Sequence, residues 1–577
     1  MTDVDSSSRP ADSGPGSFPD GVRLEDPGLV RFWTRGATAA LRRERAAIDR
    51  VNVFPVADAD TGTNLYLTLR EGDLAVAAAP AEATGAELLT TLARAALLGA
   101  RGNSGVILSE WLRGLAVAAR HGGGAADLLT RAATSARSAV AQPAEGTILT
   151  AADAASAAAR AAEGAVDGDT GPLAVVSAAA AAARSAARAS RDELHPLRAA
   201  GVLDAGALGL VLVLDALVVA TAGATSGVTA VATAGALSGA AAGAATGVSE
   251  ADGSMDSVNL DQLLDPALSP PVRDAPAVGG TEPGALPHGA EAGAGALELM
   301  FVLTGPVGAA ADTVAAGLRA ALGEVGDSVV VVGGDAGTGT GVWQAHVHTD
   351  QLDQALAIAA QASRTGSLAQ VHVRHLEAVA QHEWGVVAAT SAPALAGALA
   401  HAGAVVLLTG GLGGAIEALT ADDVGRVAAS TGARRVLLLG VPDGPADVTQ
   451  HLDVDEVVAV PTPTDVHAVV ALAALGTLLP IGLPDELDAD VRGTVDEALA
   501  GLTVTSVRGD AAVEALRAAA GPATIVVTAL LDAEVPDGLP DLLAAALTER
   551  APEAELVVLA TGRPGDGVCL GMEEEHA

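Results

Sequence analysis

Two aspartates two residues apart, Asp58 and Asp60, are the first residues in this chain whose types and spacing point to chemistry. Carboxylate oxygens suit hard divalent cations, and an extended i, i+2 pair projects to one side of a strand or tight turn. The stretch Thr61-Gly62-Thr63-Asn64 that follows reads as a helix entry with polar caps. A Mg²⁺ site beside a helix N-terminus is where a nucleotide phosphate would sit, since free amides and the helix dipole both favour an anion there. The plainer reading is an acidic turn followed by a capped helix. Further along, Gly102-Asn103-Ser104-Gly105 and Asp204-Ala205-Gly206 have the same character: small residues that let backbone N–H groups approach an anion, each ahead of a helix. One such turn is common; three on one helical stretch, one of them with paired carboxylates, point to a phosphate site.

The elements that must position these turns follow from the pattern of the chain. With 577 residues, two to four domains are expected. Hydrophobic residues make up 50% of the chain but aromatics only 2%, so helices and small-residue packing must carry the cores. Residues 1–25 read as a disordered tail, 26–222 as an all-α domain, and 223–294 as a low-complexity linker. Within the helical part, apolar spacing predicts segments that include Ala81–Leu98, Val106–Ala119, Ala125–Ala141, Ala151–Ala162 and Pro172–Ala189. From Leu297 strands alternate with helices, giving a small α/β domain over 295–382 and a C-terminal α/β domain over 383–577.

The net charge of -38, with 70 acidic against 32 basic residues, argues against nucleic acid or an anionic membrane as main partner. An anionic substrate would need metal ions and backbone amides to hold it. Cys569 is the only cysteine, so neither an intrachain disulfide nor a cysteine-rich zinc site can form. No signal peptide is recognisable, and the uncharged run 216–249 is too rich in Ala, Gly, Thr and Ser for a membrane span. A cytoplasmic protein is expected.

The motifs resemble those of the fatty acid kinase A subunit family, whose N-terminal domain is similar to the ATP-binding L subunit of dihydroxyacetone kinase. The resemblance is carried by Asn52–Leu65 (NVFPVADADTGTNL), Ala100–Glu110 (ARGNSGVILSE), Glu145–Thr150 (EGTILT), Ala200–Ala207 (AGVLDAGA) and Ala345–Asp350 (AHVHTD), in family order from about residue 26 to the C-terminus. It implies an eight-helix barrel with ATP at one end, followed by the middle α/β domain and a DegV-like C-terminal domain. Asp58 and Asp60 would chelate two Mg²⁺ ions, with Asn52 close enough to complete the shell. Ser104, with Asn103 and the Gly102 and Gly105 neighbourhood, would contact phosphate oxygens; Thr61, Gly62, Thr63 and Asn64 would form the metal-side helix entry; Thr147, Ile148 and Asp204 would shape the nucleotide pocket. The resemblance further implies a homodimer, a separate DegV-type partner that holds the fatty acid, and transfer of the γ-phosphoryl group to its carboxylate. The alternatives are a dihydroxyacetone-type small-molecule kinase and a non-catalytic nucleotide-binding scaffold.

The chain departs from the family pattern in places. Ala57, Ala59 and Ala207 replace a proline and two glycines, and Ala59 is costly if its position needs a positive φ. His346 and His348 alternate on a strand and face one side, as zinc ligands can. Ala296 stands where the family tends to have a cysteine, which leaves a tetrahedral zinc site incomplete even if Glu298 joins it. A hydrogen-bonded or partner-facing histidine pair is expected instead, and 297–577 is expected to be a scaffold without a second active site.

Overall fold

The computed structural model describes residues 23–165, 171–225, 295–306, 311–335, 340–376, 384–413, 416, 419–441, 454–475 and 491–574. The expected tail and linker lie almost wholly outside these residues.

The N-terminal part is helical: α1 (Pro27–Arg50), α2 (Thr61–Ala78), α3 (Gly85–Leu98), α4 (Gly102–Arg120), α5 (Ala125–Ala139), α6 (Ile148–Glu163), α7 (Pro172–Glu193), the short α8 (His195–Ala200) and α9 (Ala205–Thr225). Each helix from α1 to α7 packs on the next, and α9 packs against both α7 and α1. The helix starts are written in local chemistry. Asp26 caps α1 with Pro27 at its first position, and Thr84 with Glu87 forms a capping box that starts α3 at Gly85. Apolar spacing predicts that helix from Ala81; the cap places Ala81–Thr84 before it. α9 is the one described helix long and apolar enough to cross a membrane, yet it lies in the core of the helical domain with Leu208, Leu210 and Val211 through Leu214 buried. Asp215, on the same helix, is paired with Arg184 of α7.

The second part begins with β1 (Leu297–Pro306), α10 (Ala311–Gly323), β2 (Asp327–Asp335), β3 (Thr340–Thr349), α11 (Leu352–Ala362) and β4 (Ser367–His375). Strand β4 has no counterpart among the strands the sequence pattern predicts. Then come β5 (Trp384–Thr390), α12 (Leu395–His401), β6 (Ala404–Leu408), α13 (Ala421–Ser430), β7 (Arg435–Leu439), β8 (Glu456–Val460), α14 (Asp465–Leu475) and α15 (Val491–Ala500). β1 to β8 form one eight-stranded sheet in the order β2-β3-β1-β4-β6-β5-β7-β8. The boundary expected at 382 therefore falls inside a sheet: β4 pairs antiparallel with β6 through His372–Leu407 and Val373–Val406. From β6 to β8 the strands are parallel, as the alternation of strand and helix predicts. The last segment, β9 (Leu502–Arg508), α16 (Gly509–Ala519), β10 (Thr524–Leu531), α17 (Leu539–Arg550), β11 (Glu555–Ala560) and β12 (Gly567–Glu574), carries a separate mixed sheet in the order β11-β10-β12-β9.

The antiparallel half of the large sheet is buried on both faces. Side chains alternate along a strand. Leu299, Phe301, Val331, Trp343, Ala345 and Val347 face one core with α10 and α11 residues such as Leu322 and Leu356, whereas Met300, Val302, Val330 and Val332 join the core of the helical domain. Gln344, on the helical-domain face, donates to the Ala100 carbonyl at 3.0 Å. The sheet thus closes over the end of the helical domain that carries the polar turns.

Candidate functional site

Between α1 and α2 the chain makes a tight loop with a cis Phe54–Pro55 bond, and Ala59 adopts φ 54°. That is left-handed backbone, the conformation for which glycine is suited. The loop turns Asp58 and Asp60 toward each other. Asn52 Nδ2 donates to Asp58 Oδ1 at 2.5 Å, and Asn52 Oδ1 is buried with no partner. Burial and the neighbouring Asp60 carboxylate hold Asp58 above the usual carboxylate range, against the lowering pull of Arg374.

The helix entry is anchored by a residue the sequence reading did not single out. Asp49, near the end of α1, accepts from Thr63 N at 3.0 Å and Thr63 Oγ1 at 2.7 Å. Burial, the largest influence, pushes its carboxyl up to about 6 even though these bonds and the Gly62 amide pull it down. The amides of Gly62 and Thr63 are thereby engaged by Asp49, and Asn64 N bonds the Asp60 carbonyl. These residues build the entry and leave phosphate contact to others. Gly62 is needed for contact: a Cβ there would stand 2.3 Å from the Arg45 carbonyl oxygen.

Thr61 joins the first turn to the second, its Oγ1 lying 3.3 Å from Ser104 Oγ. Gly102, at φ 52°, opens α4 against Asn64 Nδ2, and Asn103 Oδ1 is buried without a partner. The amides of Gly102, Asn103 and Ser104 are those a helix start cannot bond internally. Gly105 has a different role from the one expected: its N–H bonds the Arg101 carbonyl, and a Cβ would lie 2.2 Å from Thr68 Oγ1, so it serves the close packing of α4 on α2.

The third turn joins two helix starts. Thr147 caps α6, accepting from Leu149 N at 3.3 Å and donating to the Ala144 carbonyl at 2.9 Å. Asp204, just before α9, accepts from Ala207 N at 2.7 Å and also from the Ile148 and Gly206 amides. Burial outweighs these bonds and pushes its carboxyl up to about 7. Ala207 lies inside α9 and is absent from the described residues with positive φ, so its replacement of glycine carries no backbone cost. Thr61, Asn103, Ser104, Thr147, Ile148 and Asp204 all line one cavity of about 310 Å³. Its opposite wall is the middle segment, from Gly326 through Val330. β2 is tied to the helical domain there by Ala141 N, which donates to the Val329 carbonyl at 3.2 Å.

The middle segment also reaches the carboxylates. Glu298 lies opposite His348 on β3 and opposite Arg374 on β4. Arg374 Nε donates to Glu298 Oε1 at 2.8 Å, and its Nη2 donates to Glu298 Oε2 at 2.9 Å and to Asp60 Oδ2 at 2.7 Å. Asp58 Oδ2 is 4.0 Å from the same nitrogen. His346 Nε2 lies 2.9 Å and His348 Nε2 3.8 Å from Glu298 Oε2. Arg374 is 4% exposed, Glu298 2% and His346 0%, which makes this a desolvated network. The Arg374 guanidinium overcomes burial to hold Glu298 well below the carboxylate range, and the acidic neighbours raise Arg374 well above its ordinary value. Burial lowers His348. Glu298, His346 and His348 bring ligand atoms within 4.8 Å of one another, as a metal would require, but both Glu298 oxygens already accept from Arg374. The scaffold expected of 297–577 is corrected here: β2 lines the cavity, and Arg374 of β4 bonds Asp60.

The donor set fits a hard divalent cation. Two carboxylates side by side, with the unpartnered Asn52 oxygen next to them, offer the oxygen ligands such an ion takes.

Comparison with known proteins places these features. The DAK2 domain matches residues 55–219, and the middle domain of proteins like the fatty acid kinase A subunit matches 296–383. Protein YloV of Bacillus subtilis is 39% identical over 117 residues, 19% of this chain and 21% of its own length. An uncharacterized protein of Staphylococcus saprophyticus is 41% identical over 110 residues, 18% and 20% of the two chains. The alignments thus span about a fifth of each relative's length. A dihydroxyacetone kinase from C. freundii, solved with AMP-PNP and Mg²⁺, aligns at 20% identity with a TM-score of 0.27, covering 38% of this chain and 37% of that one. A DAK2 domain holding the carboxylate turn is thus followed, in the same chain, by a middle domain similar to that of the fatty acid kinase A subunit.

Proposed function

We propose that the chain is the Mg-ATP-dependent kinase subunit that phosphorylates the carboxylate of a fatty acid presented by a separate DegV-type lipid-binding protein. One observation carries the reading: a buried carboxylate pair stands beside a cavity onto which the starts of α4, α6 and α9 converge. Asp58, Asp60 and Asn52 would hold Mg²⁺, which supplies positive charge to the phosphate oxygens during transfer. The free amides of Gly102 to Ser104, with the Ser104 and Thr61 hydroxyls, hydrogen-bond phosphate oxygens at the α4 N-terminus. Thr147, Ile148 and Asp204 shape the far end of the cavity for the nucleoside. A fatty acid carboxylate oxygen attacks the γ-phosphorus, the bond to the β-phosphate oxygen breaks, and acyl phosphate and ADP result.

The nature of the acceptor follows from the proton bookkeeping. A carboxylate at neutral pH carries no proton, so its attack needs no general base, whereas a hydroxyl acceptor does. No histidine is among the residues lining the cavity, and Asp204, its carboxyl poised near neutrality, is engaged by three backbone amides. This favours a carboxylate over the hydroxyl of a dihydroxyacetone-type substrate. The preserved left-handed turn at Ala59 and the helical Ala207 speak against a non-catalytic scaffold. A cytoplasmic homodimer, with the C-terminal α/β region docking the lipid carrier, completes the proposal. The test is incubation with Mg-ATP, oleate and a DegV-type carrier, trapping acyl phosphate with hydroxylamine. Trapped hydroxamate that requires all components is expected; ATP consumption toward a small ketone without carrier, or nucleotide binding with no turnover, would replace the proposal.

A further inference from the structure

The cluster around Arg374 has a charge imbalance that the metal site alone does not explain. Asp58, Asp60 and Glu298 supply three buried carboxylates, and Arg374 is the one arginine in contact with them among the described residues. Its guanidinium is fixed by the two-point grip of Glu298, which His346 holds in turn at 2.9 Å. A planar guanidinium gripped this way presents the second N–H of Nη2 in a set direction. That direction is Asp60 Oδ2, 2.7 Å away. We propose that Arg374 is a positioning residue of the kinase centre, a resident cation that the middle domain inserts beside Asp58 and Asp60 to orient Asp60 and to limit how tightly the pair holds a divalent ion. Divalent ions held too firmly in the nucleotide-free site would stay behind instead of entering and leaving with ATP; the resident charge weakens that grip and leaves positive potential for the phosphates.

The inference rests on the metal-binding role proposed above for the carboxylate pair. Charges a few ångströms apart in a poorly screened site dominate affinity, so the signs are fixed in advance. Arg374→Gln removes the resident cation, and Mn²⁺ affinity of the nucleotide-free protein rises by at least about tenfold, while Mg-ATP turnover falls by about a hundredfold. Glu298→Gln frees Arg374 from its own anchor charge, so Mn²⁺ affinity falls by about threefold. The double variant Glu298→Gln/Arg374→Gln restores the cluster's net charge and returns Mn²⁺ affinity toward that of the wild type without restoring turnover. A merely structural role would lower metal affinity in all three.

The experiment is Mn²⁺ titration of the full chain by electron paramagnetic resonance, with Asp58→Asn as reference. Loss of Mn²⁺ binding in Asp58→Asn establishes the metal site itself. Given that loss, unchanged or weakened Mn²⁺ binding in Arg374→Gln overturns the inference about Arg374 and leaves the metal site standing. If Arg374→Gln fails to fold, the charge-balanced double variant decides: affinity near that of the wild type supports the inference, and affinity reduced beyond that of Glu298→Gln overturns it.

Discussion

Ala59 is the place where sequence and geometry disagree most sharply, and replacing it tests the loop directly. Its φ of 54° puts an alanine Cβ in left-handed backbone between the two carboxylates. An L-residue with a Cβ loses roughly 1–2 kcal/mol in that conformation. Ala59→Gly removes this strain but adds freedom to the unfolded chain, worth about 0.4–1 kcal/mol in the opposite direction. The net expectation is stabilisation of about 0.5–1 kcal/mol, a rise in melting temperature of about 1–4 °C for a domain of this size. The helical domain should be followed by its own far-UV signal, because a chain of several domains need not melt in one step. Ala59 is exposed, so no side-chain packing is lost to confuse the result. Destabilisation by Ala59→Gly would refute the claim that the position carries backbone strain.

Other outcomes follow from the same geometry. Gly62→Ala places a Cβ 2.3 Å from the Arg45 carbonyl oxygen and 2.9 Å from Ile48 Cβ, so α1 and α2 must separate at a cost of about 1–3 kcal/mol in urea unfolding. Asp204→Asn alters the pH dependence of stability. The folded carboxyl titrates near 7 and the unfolded one near 3.8, so Asp204's contribution is fully present below about pH 4 and is lost as the pH rises through about 7. Wild type should lose about 3 kcal/mol relative to Asp204→Asn between pH 5 and pH 8, and parallel stability curves would contradict this.

The three phosphate-type turns were legible because each is contiguous: carboxylate spacing, small residues and helix entry lie within a dozen positions. Their convergence was not, since it depends on α2, α4, α6 and α9 packing end to end. Asp49 was hidden because a buried helix-end carboxylate looks like any charged residue in the Leu41–Arg50 run until Thr63 is seen to fold back onto it. Arg374 was hidden for a different reason: its partner Asp60 is 314 positions away. A local signal did exist in Val371 and Val373, which alternate with His372 and Arg374 in the manner of a half-apolar strand. The parallel strands β5 to β8 were readable from short β-branched and leucine runs between helices. The join of β4 to β6 was not, because two residue pairs make it and no pattern in either strand names its partner. His346 and His348 were correctly placed on one face; what that face meets, a glutamate already gripped by arginine, only the fold supplies.

The most direct test of the central claim is the binding of Mn²⁺ and ATP to the full chain carrying Asp58→Asn or Asp60→Asn, alongside the wild type. Asp60 lies 7% exposed beside Asp58, so either change removes half of the carboxylate pair while keeping its shape. The expected result is loss of Mn²⁺-dependent ATP binding by at least about a hundredfold, with circular dichroism unchanged. Wild-type Mn²⁺-ATP affinity in both variants would contradict the assignment of this pair as the metal clamp of a kinase.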